Sequence, residues 1–173
     1  GLRFATLRYF NAAGADPAGR AGEDHDPESH LIPLAIGAAM GTRPALTVFG
    51  TDYETPDGTG IRDYVHVADL ADAHLRVLPL LDHRSVRYNL GNGTGYSVKQ
   101  VIETVERVSG RTVPHTFGPR RAGDPAVLVA SSAKLREETG WSPRFPELQE
   151  IVKTAWAWHS AHPNGYGDAR AAA

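Results

Sequence analysis

The chain has 173 residues, 41% hydrophobic and 22% charged, the balance of one globular domain rather than a disordered tail. Twenty acids against 18 bases leave a net charge of −2, which gives no sign of general attraction to nucleic acid or an anionic membrane. There is no cysteine, hence no disulfide framework or thiolate metal site, and no apolar run approaches the roughly 20 residues of a membrane span. With no signal-like segment the expectation is a cytoplasmic protein. A chain that starts at Gly1 and runs at once into an apolar segment reads like the middle of a longer protein.

Phe4, Thr6, Arg8 and Phe10 alternate with Ala5, Leu7 and Tyr9, and both sets carry apolar members. That predicts a strand buried on both faces, as in a parallel sheet. Asn11-Ala12-Ala13-Gly14 reads as a turn at its C-terminal end, where open α/β sheets bind ligands. Asn11 is placed either to bond a ligand or to bond its own backbone. Residues 15–30 form a polar loop in which acids and the imidazoles of His25 and His30 read as a solvated segment without defensible metal spacing. Leu31–Gly41 predicts an apolar helix with Pro33 in its first turn and Gly41 at its stop. Ala45–Gly50 predicts a short strand and Thr51–Gly60 a loop.

The stretch Gly58-Thr59-Gly60-Ile61-Arg62-Asp63-Tyr64 passes from a glycine turn into a short strand, Tyr64–Val67, and then an amphipathic helix. Arg62 carries a planar fork of donors that suits phosphate oxygens; the other reading pairs it with Asp63 at the surface. The helix stripe is expected to hold Val67, Leu70, Ala71, His74, Leu75, Leu78 and Leu81, with His74 a core or interface histidine. Val86–Leu90 alternates as a strand and turns through Gly91–Gly95. Ser97-Val98-Lys99-Gln100 is a capping box for a helix ending at Gly110. Val113–Phe117 is a strand candidate. Arg120-Arg121-Ala122-Gly123-Asp124 is a second candidate phosphate and hydroxyl site, or else a solvated basic loop. A short helix capped by Ser131 or Ser132 follows. The last helix carries the stripe Leu148, Ile151, Val152, Ala155, Trp156 and His159, and the tail from His162 is expected to fray. The class is α/β without the even alternation of a complete doubly wound sheet. Two arginine sites could clamp a diphosphate, Asp124 and Asn11 could take sugar hydroxyls, and Phe49 and Tyr64 could supply ring faces.

Several runs together are specific: Leu7-Arg8-Tyr9-Phe10-Asn11, His30-Leu31-Ile32-Pro33, Thr47-Val48-Phe49-Gly50, Asp57-Gly58-Thr59-Gly60-Ile61-Arg62-Asp63-Tyr64 and Arg120-Arg121-Ala122-Gly123-Asp124. By these the chain resembles, nearly end to end, the C-terminal part of the UDP-glucose 4-epimerase family of extended short-chain dehydrogenase/reductases. The resemblance implies the last strand of a Rossmann-type sheet (1–14), a UDP-sugar-binding α/β region (15–165, with about 61–82 returning to the Rossmann domain) and a frayed tail (166–173). It implies interconversion of UDP-glucose and UDP-galactose by oxidation at C4 and re-reduction, with NAD as hydride carrier and a homodimeric complete enzyme. It places Tyr9 and Phe10 near the nicotinamide, and Asn11 at the sugar or diphosphate. His30 and Leu31 fall at the nucleotide, with Thr47, Val48 and Phe49 along the uracil. Arg62 and Arg121 fall at the diphosphate, Asp124 at the ribose, and Leu128 at the position whose bulk gates N-acetylated sugars; Tyr64 stays a candidate ring face.

Two departures stand out. His30 replaces the family's usual asparagine. The catalytic Tyr-x-x-x-Lys is absent: the residues four beyond Tyr9, Tyr53, Tyr64, Tyr88, Tyr96 and Tyr166 are Ala13, Asp57, Ala68, Asn92, Gln100 and Arg170. No dinucleotide glycine fingerprint is present either. The chain alone is therefore expected not to epimerise, and to expose apolar surface. The other readings are the same half of a sibling UDP-sugar epimerase or dehydratase, and a non-catalytic nucleotide-sugar-binding module.

Overall fold

A computed structural model describes residues 1–167. The first strand, β1 (Ala5–Tyr9), is followed directly by a second, β2 (Asn11–Ala13), where the sequence suggested only a turn. Helix α1 spans Leu31–Met40, β3 Leu46–Phe49 and β4 Ile61–His66. Helix α2 spans Val67–Val77 and runs into a 3-10 turn, Leu78–Asp82. Then come β5 (Val86–Leu90), β6 (Gly95–Ser97), α3 (Val98–Ser109), β7 (His115–Gly118), β8 (Val127–Leu128), α4 (Ala133–Thr139) and α5 (Leu148–Ala161). No described helix is long and apolar enough to cross a membrane.

Strand β4 is the hub. It pairs in parallel with β2, Asn11 opposite Tyr64, and with β8, Arg62 opposite Leu128. It pairs antiparallel with β6, Ile61 opposite Ser97. Parallel pairs β1–β5 and β3–β7 complete the sheets. Because strand side chains alternate, β4 also divides the interior. Tyr64 joins a core made by α1, α3, α5 and β3, while Val65 joins one made by α2, β5, Leu135 and Trp141.

Local chemistry explains the helix starts. Ser97 accepts from the Gln100 amide while the Gln100 side chain takes the Ser97 N–H at 2.8 Å, the full capping box. His66 caps α2, its Nδ1 accepting from Ala68 N at 3.1 Å. Ser132 stands at the start of α4 but makes no side-chain cap.

Some expectations are overturned. Strand β1 is not buried on both faces: Arg8 and Tyr9 are exposed, because β1 has a partner, β5, on one edge only among the described residues. The buried face of α2 is Asp69, Leu70, Ala73 and Val77, so Ala71, His74 and Leu75 face outward, as does Leu78 at the start of the 3-10 turn. In α5 the fully packed tryptophan is Trp158, not Trp156, because its indole reaches the 20s loop and donates to Glu23 O at 3.1 Å. The tail is not frayed through Tyr166, whose amide donates to Asp24 at 2.9 Å and whose hydroxyl accepts from Gly22 N at 3.0 Å; residues 168–173 lie outside the described ones.

The most constrained polar group is Asp63. Its buried carboxylate accepts N–H groups from Asn92 (3.0 Å), Gly93 (3.2 Å) and Ala130 (3.1 Å). A Cβ at Gly91 would stand 2.4 Å from this carboxylate, so only glycine lets the turn close over it. The alternative pairing of Arg62 with Asp63 is excluded by this burial. Asp63→Ala strands three backbone donors and is expected to cost about 3–5 kcal/mol. Urea denaturation of the chain measures it; a loss below about 1 kcal/mol contradicts the assignment.

Candidate functional site

A pocket of about 450 Å³ opens between the start of α1, the ends of β2 and β3, the outer half of β4 and the loop after β7. That volume lies in the range of small-molecule sites. Ten residues singled out from the sequence line it: Asn11, His30, Leu31, Thr47, Val48, Phe49, Arg62, Tyr64, Arg121 and Asp124. Phe10 instead faces an adjoining, more open cleft that Asn11 and His30 share. Tyr9 lines neither cavity and packs edge-on against His74. Leu128 lies opposite Arg62 in the sheet but outside the lining.

Strand alternation puts Arg62 and Tyr64 on one side of β4 while Asp63 is anchored on the other. Arg62 donates to Ile61 O at 2.7 Å and pairs with Asp124 across the pocket. Arg121 lies over the Phe49 ring, 4.1 Å from its centroid, a cation–π contact. Neighbouring Arg120 covers Tyr53 at 4.3 Å and pairs with Asp52 at 2.7 Å, so the basic loop is tied down rather than merely solvated. Asn11 Nδ2 donates to Asp63 O at 2.8 Å, a bond to a neighbouring strand that orients its amide at the pocket wall. Burial pushes the Tyr64 phenol well above its ordinary value, against the pull of Arg62, so the ring stays neutral. Arg43 also lines the pocket and was missed. It follows the end of α1, and no local pattern marks it.

The turn before Arg62 is built around Asp57. Its carboxylate accepts from Thr59 N at 2.8 Å, Thr59 Oγ1 at 2.7 Å and the Ser97 hydroxyl, while Lys99 Nζ donates to its carbonyl at 2.8 Å. Gly58 has φ +79°, and a Cβ there would meet Thr51 O at 2.2 Å.

Beside the pocket, the 20s loop gathers Glu23, His25, Glu28 and His30, with one donor atom from each inside a 4.8 Å span. The sequence had suggested only a solvated segment. Burial and the facing Glu28 push Glu23 upward, against hydrogen bonding from His25 and the field of His30.

The pattern of the NAD dependent epimerase/dehydratase family matches residues 1–91. The chain belongs to that family. It is 54% identical over 168 residues to a UDP-glucose 4-epimerase of Halalkalibacterium halodurans, covering 96% of this chain and 50% of the relative. It superposes on a UDP-glucose 4-epimerase crystal structure with TM-score 0.92 at 53% identity, over 95% of this chain and 51% of the other. A Bifidobacterium longum UDP-glucose 4-epimerase solved with NAD+ and UDP gives TM-score 0.88 at 40% identity, over 94% and 49%. The chain therefore spans about half the length of these epimerases.

The Asp57 carboxyl is raised by burial, but hydrogen bonds from Ser97 and Thr59 outweigh this and hold it below its usual value. A carboxyl that titrates lower in the folded chain stabilises fully above the unfolded value of about 3.9 and loses this as pH falls through the folded one. Asp57→Asn is expected to cost about 1–2 kcal/mol at neutral pH, with the gap to the parent narrowing below about pH 4. Urea titrations from neutral to acid pH check this; a pH-independent gap contradicts it.

Proposed function

We propose that the chain is the sugar-nucleotide-binding, C-terminal half of an enzyme that interconverts UDP-glucose and UDP-galactose. The observation that carries the reading is the convergence of Phe49, Arg62, Arg121 and Asp124 on one pocket from three separate stretches of chain, the last two sharing the loop after β7. Phe49, with Thr47 and Val48, offers an apolar wall for a uracil ring. Arg62 and Arg121 approach from β4 and from the loop after β7, as a diphosphate requires. Asp124 serves the ribose hydroxyls once Arg62 turns to phosphate. The N-terminus of α1 opens at the same rim, adding a positive dipole end for the anion.

What the chain offers NAD is limited. Phe10 is half-exposed on the open cleft beside the pocket, which fits one flat face of a nicotinamide, and Tyr9 is exposed next to it. The sequence has no glycine fingerprint for the cofactor's diphosphate. When bound, NAD supplies the acceptor and donor of hydride at the sugar's C4. The residues of this chain hold and orient the nucleotide; the acid–base tyrosine and its lysine belong to the other half. The open edge of β1, with Leu2, Phe4, Tyr9 and Phe10, and the outward Leu75 of α2 and Leu78 of the following 3-10 turn, supply apolar surface for that half. In this reading residues 1–14 and about 61–82 belong with the Rossmann sheet and the remainder up to 165 with the substrate region.

Calorimetric titration with UDP tests the site: binding is expected, and Arg121→Ala is expected to weaken it by at least about tenfold, the loss of one charge-assisted contact. Silence from a folded chain, or equal affinity in the variant, overturns the assignment. Conversion of UDP-galactose by the purified chain with added NAD is expected to be undetectable; turnover would overturn the division of labour.

A further inference from the structure

The 20s loop carries a second constellation that nucleotide binding does not require. His30 Nδ1 stands 2.8 Å from Glu23 Oε1 and 2.9 Å from Glu28 Oε1. His25 Nδ1 stands 3.0 Å from the same Glu23 oxygen and 3.9 Å from Glu28 Oε2. The four groups thus close a ring of alternating nitrogen and oxygen donors. Hydrogen bonds alone serve it poorly. A neutral imidazole has at most one N–H, yet the single Nδ1 of His30 faces two carboxylate oxygens at once. Among the described residues, the ion-pair partners of Glu23 and Glu28 are these two histidines and no lysine or arginine.

We propose that Glu23, His25, Glu28 and His30 form a site for one divalent transition-metal ion. Donor atoms about 2.1 Å from an ion stand roughly 3–4 Å apart in a tetrahedral or octahedral shell, close to the spacings of this ring. Two imidazoles and two carboxylates suit Zn2+, Co2+ or Ni2+ better than the all-oxygen preference of Ca2+ or Mg2+. Two carboxylates also neutralise a divalent charge.

The frame is built independently of any ion. Glu28 Oε1 accepts the amides of Ser29 (2.7 Å) and His30 (2.8 Å), which orients its carboxylate at the start of α1. The Glu23 carbonyl is held by the Trp158 indole at 3.1 Å, and the Gly22 amide by Tyr166 at 3.0 Å. Outer contacts of this kind pre-set ligand positions. The carboxylates are the sheltered members and the histidine rings are half open, so an ion can enter from solvent. Glu23 and His30 also border the nucleotide pocket, so the ion would sit at its rim.

The test is titration of the chelator-treated 173-residue chain with Co2+, followed by visible absorption. One Co2+ per chain is expected to give ligand-field bands that Zn2+ abolishes. His25→Ala and, separately, Glu28→Gln are expected to weaken Co2+ binding by at least about tenfold, the loss of one of four ligands. The exposed His83→Ala is expected to leave it unchanged, with far-ultraviolet circular dichroism showing each variant folded. His25 is exposed, so its variant separates ligand loss from misfolding. No bands at millimolar Co2+, or unchanged binding in the His25→Ala/His30→Ala double variant, overturns the proposal. UDP binding is measured apart from Co2+ binding, so failure of one leaves the other standing.

Discussion

The structure depends on one buried carboxylate. Asp63 holds the turn after β5 and the segment after β8 against β4 through three backbone N–H groups. A charge in that position is tolerable only because those donors converge on it. Once Asp63 is fixed on one face of β4, alternation leaves Arg62 and Tyr64 no choice but the other. The same strand parts the two cores, Tyr64 entering one and Val65 the other. Anchoring, partition and presentation of the pocket arginine are thus consequences of three successive residues.

Two pocket arginines hold internal partners, and the lining keeps one more arginine than carboxylate. Arg62 is satisfied by Asp124 and Arg121 by the face of Phe49. A nucleoside diphosphate would replace both contacts with stronger ones to phosphate, and would free Asp124 for sugar hydroxyls. Arg120, by contrast, is committed to Asp52 and Tyr53. Of two adjacent arginines, one therefore builds the loop and the other faces the pocket. Adjacency in sequence carries no information on which is which.

Much of this was legible where the determinants are local. The capping box at Ser97, the glycine stops at Gly41 and Gly110, and the glycine turn before Arg62 all follow from backbone chemistry within a few residues. Ten pocket residues were legible because motif runs mark them. What failed was nonlocal. Asn11-Ala12-Ala13 has the composition of a turn and becomes a strand because β4 lies alongside it. The apolar residues of α2 occupy two faces, and periodicity could not say that Leu70, Ala73 and Val77 face the core while Leu75 and Leu78 do not. Trp156 and Trp158 are both plausible core positions until the Glu23 carbonyl decides between them. The quartet at Glu23, His25, Glu28 and His30 is the exception: it is local, but it lies in a loop with no helical or strand period to say that its side chains meet.

The most direct measurement is a crystal structure of the chain with UDP. Uracil is expected along Thr47–Phe49, the diphosphate between Arg62 and Arg121, and the Arg62–Asp124 pair opened with Asp124 on the ribose. UDP bound elsewhere, or bound here with that pair intact and Arg121 still lying on Phe49, would contradict this.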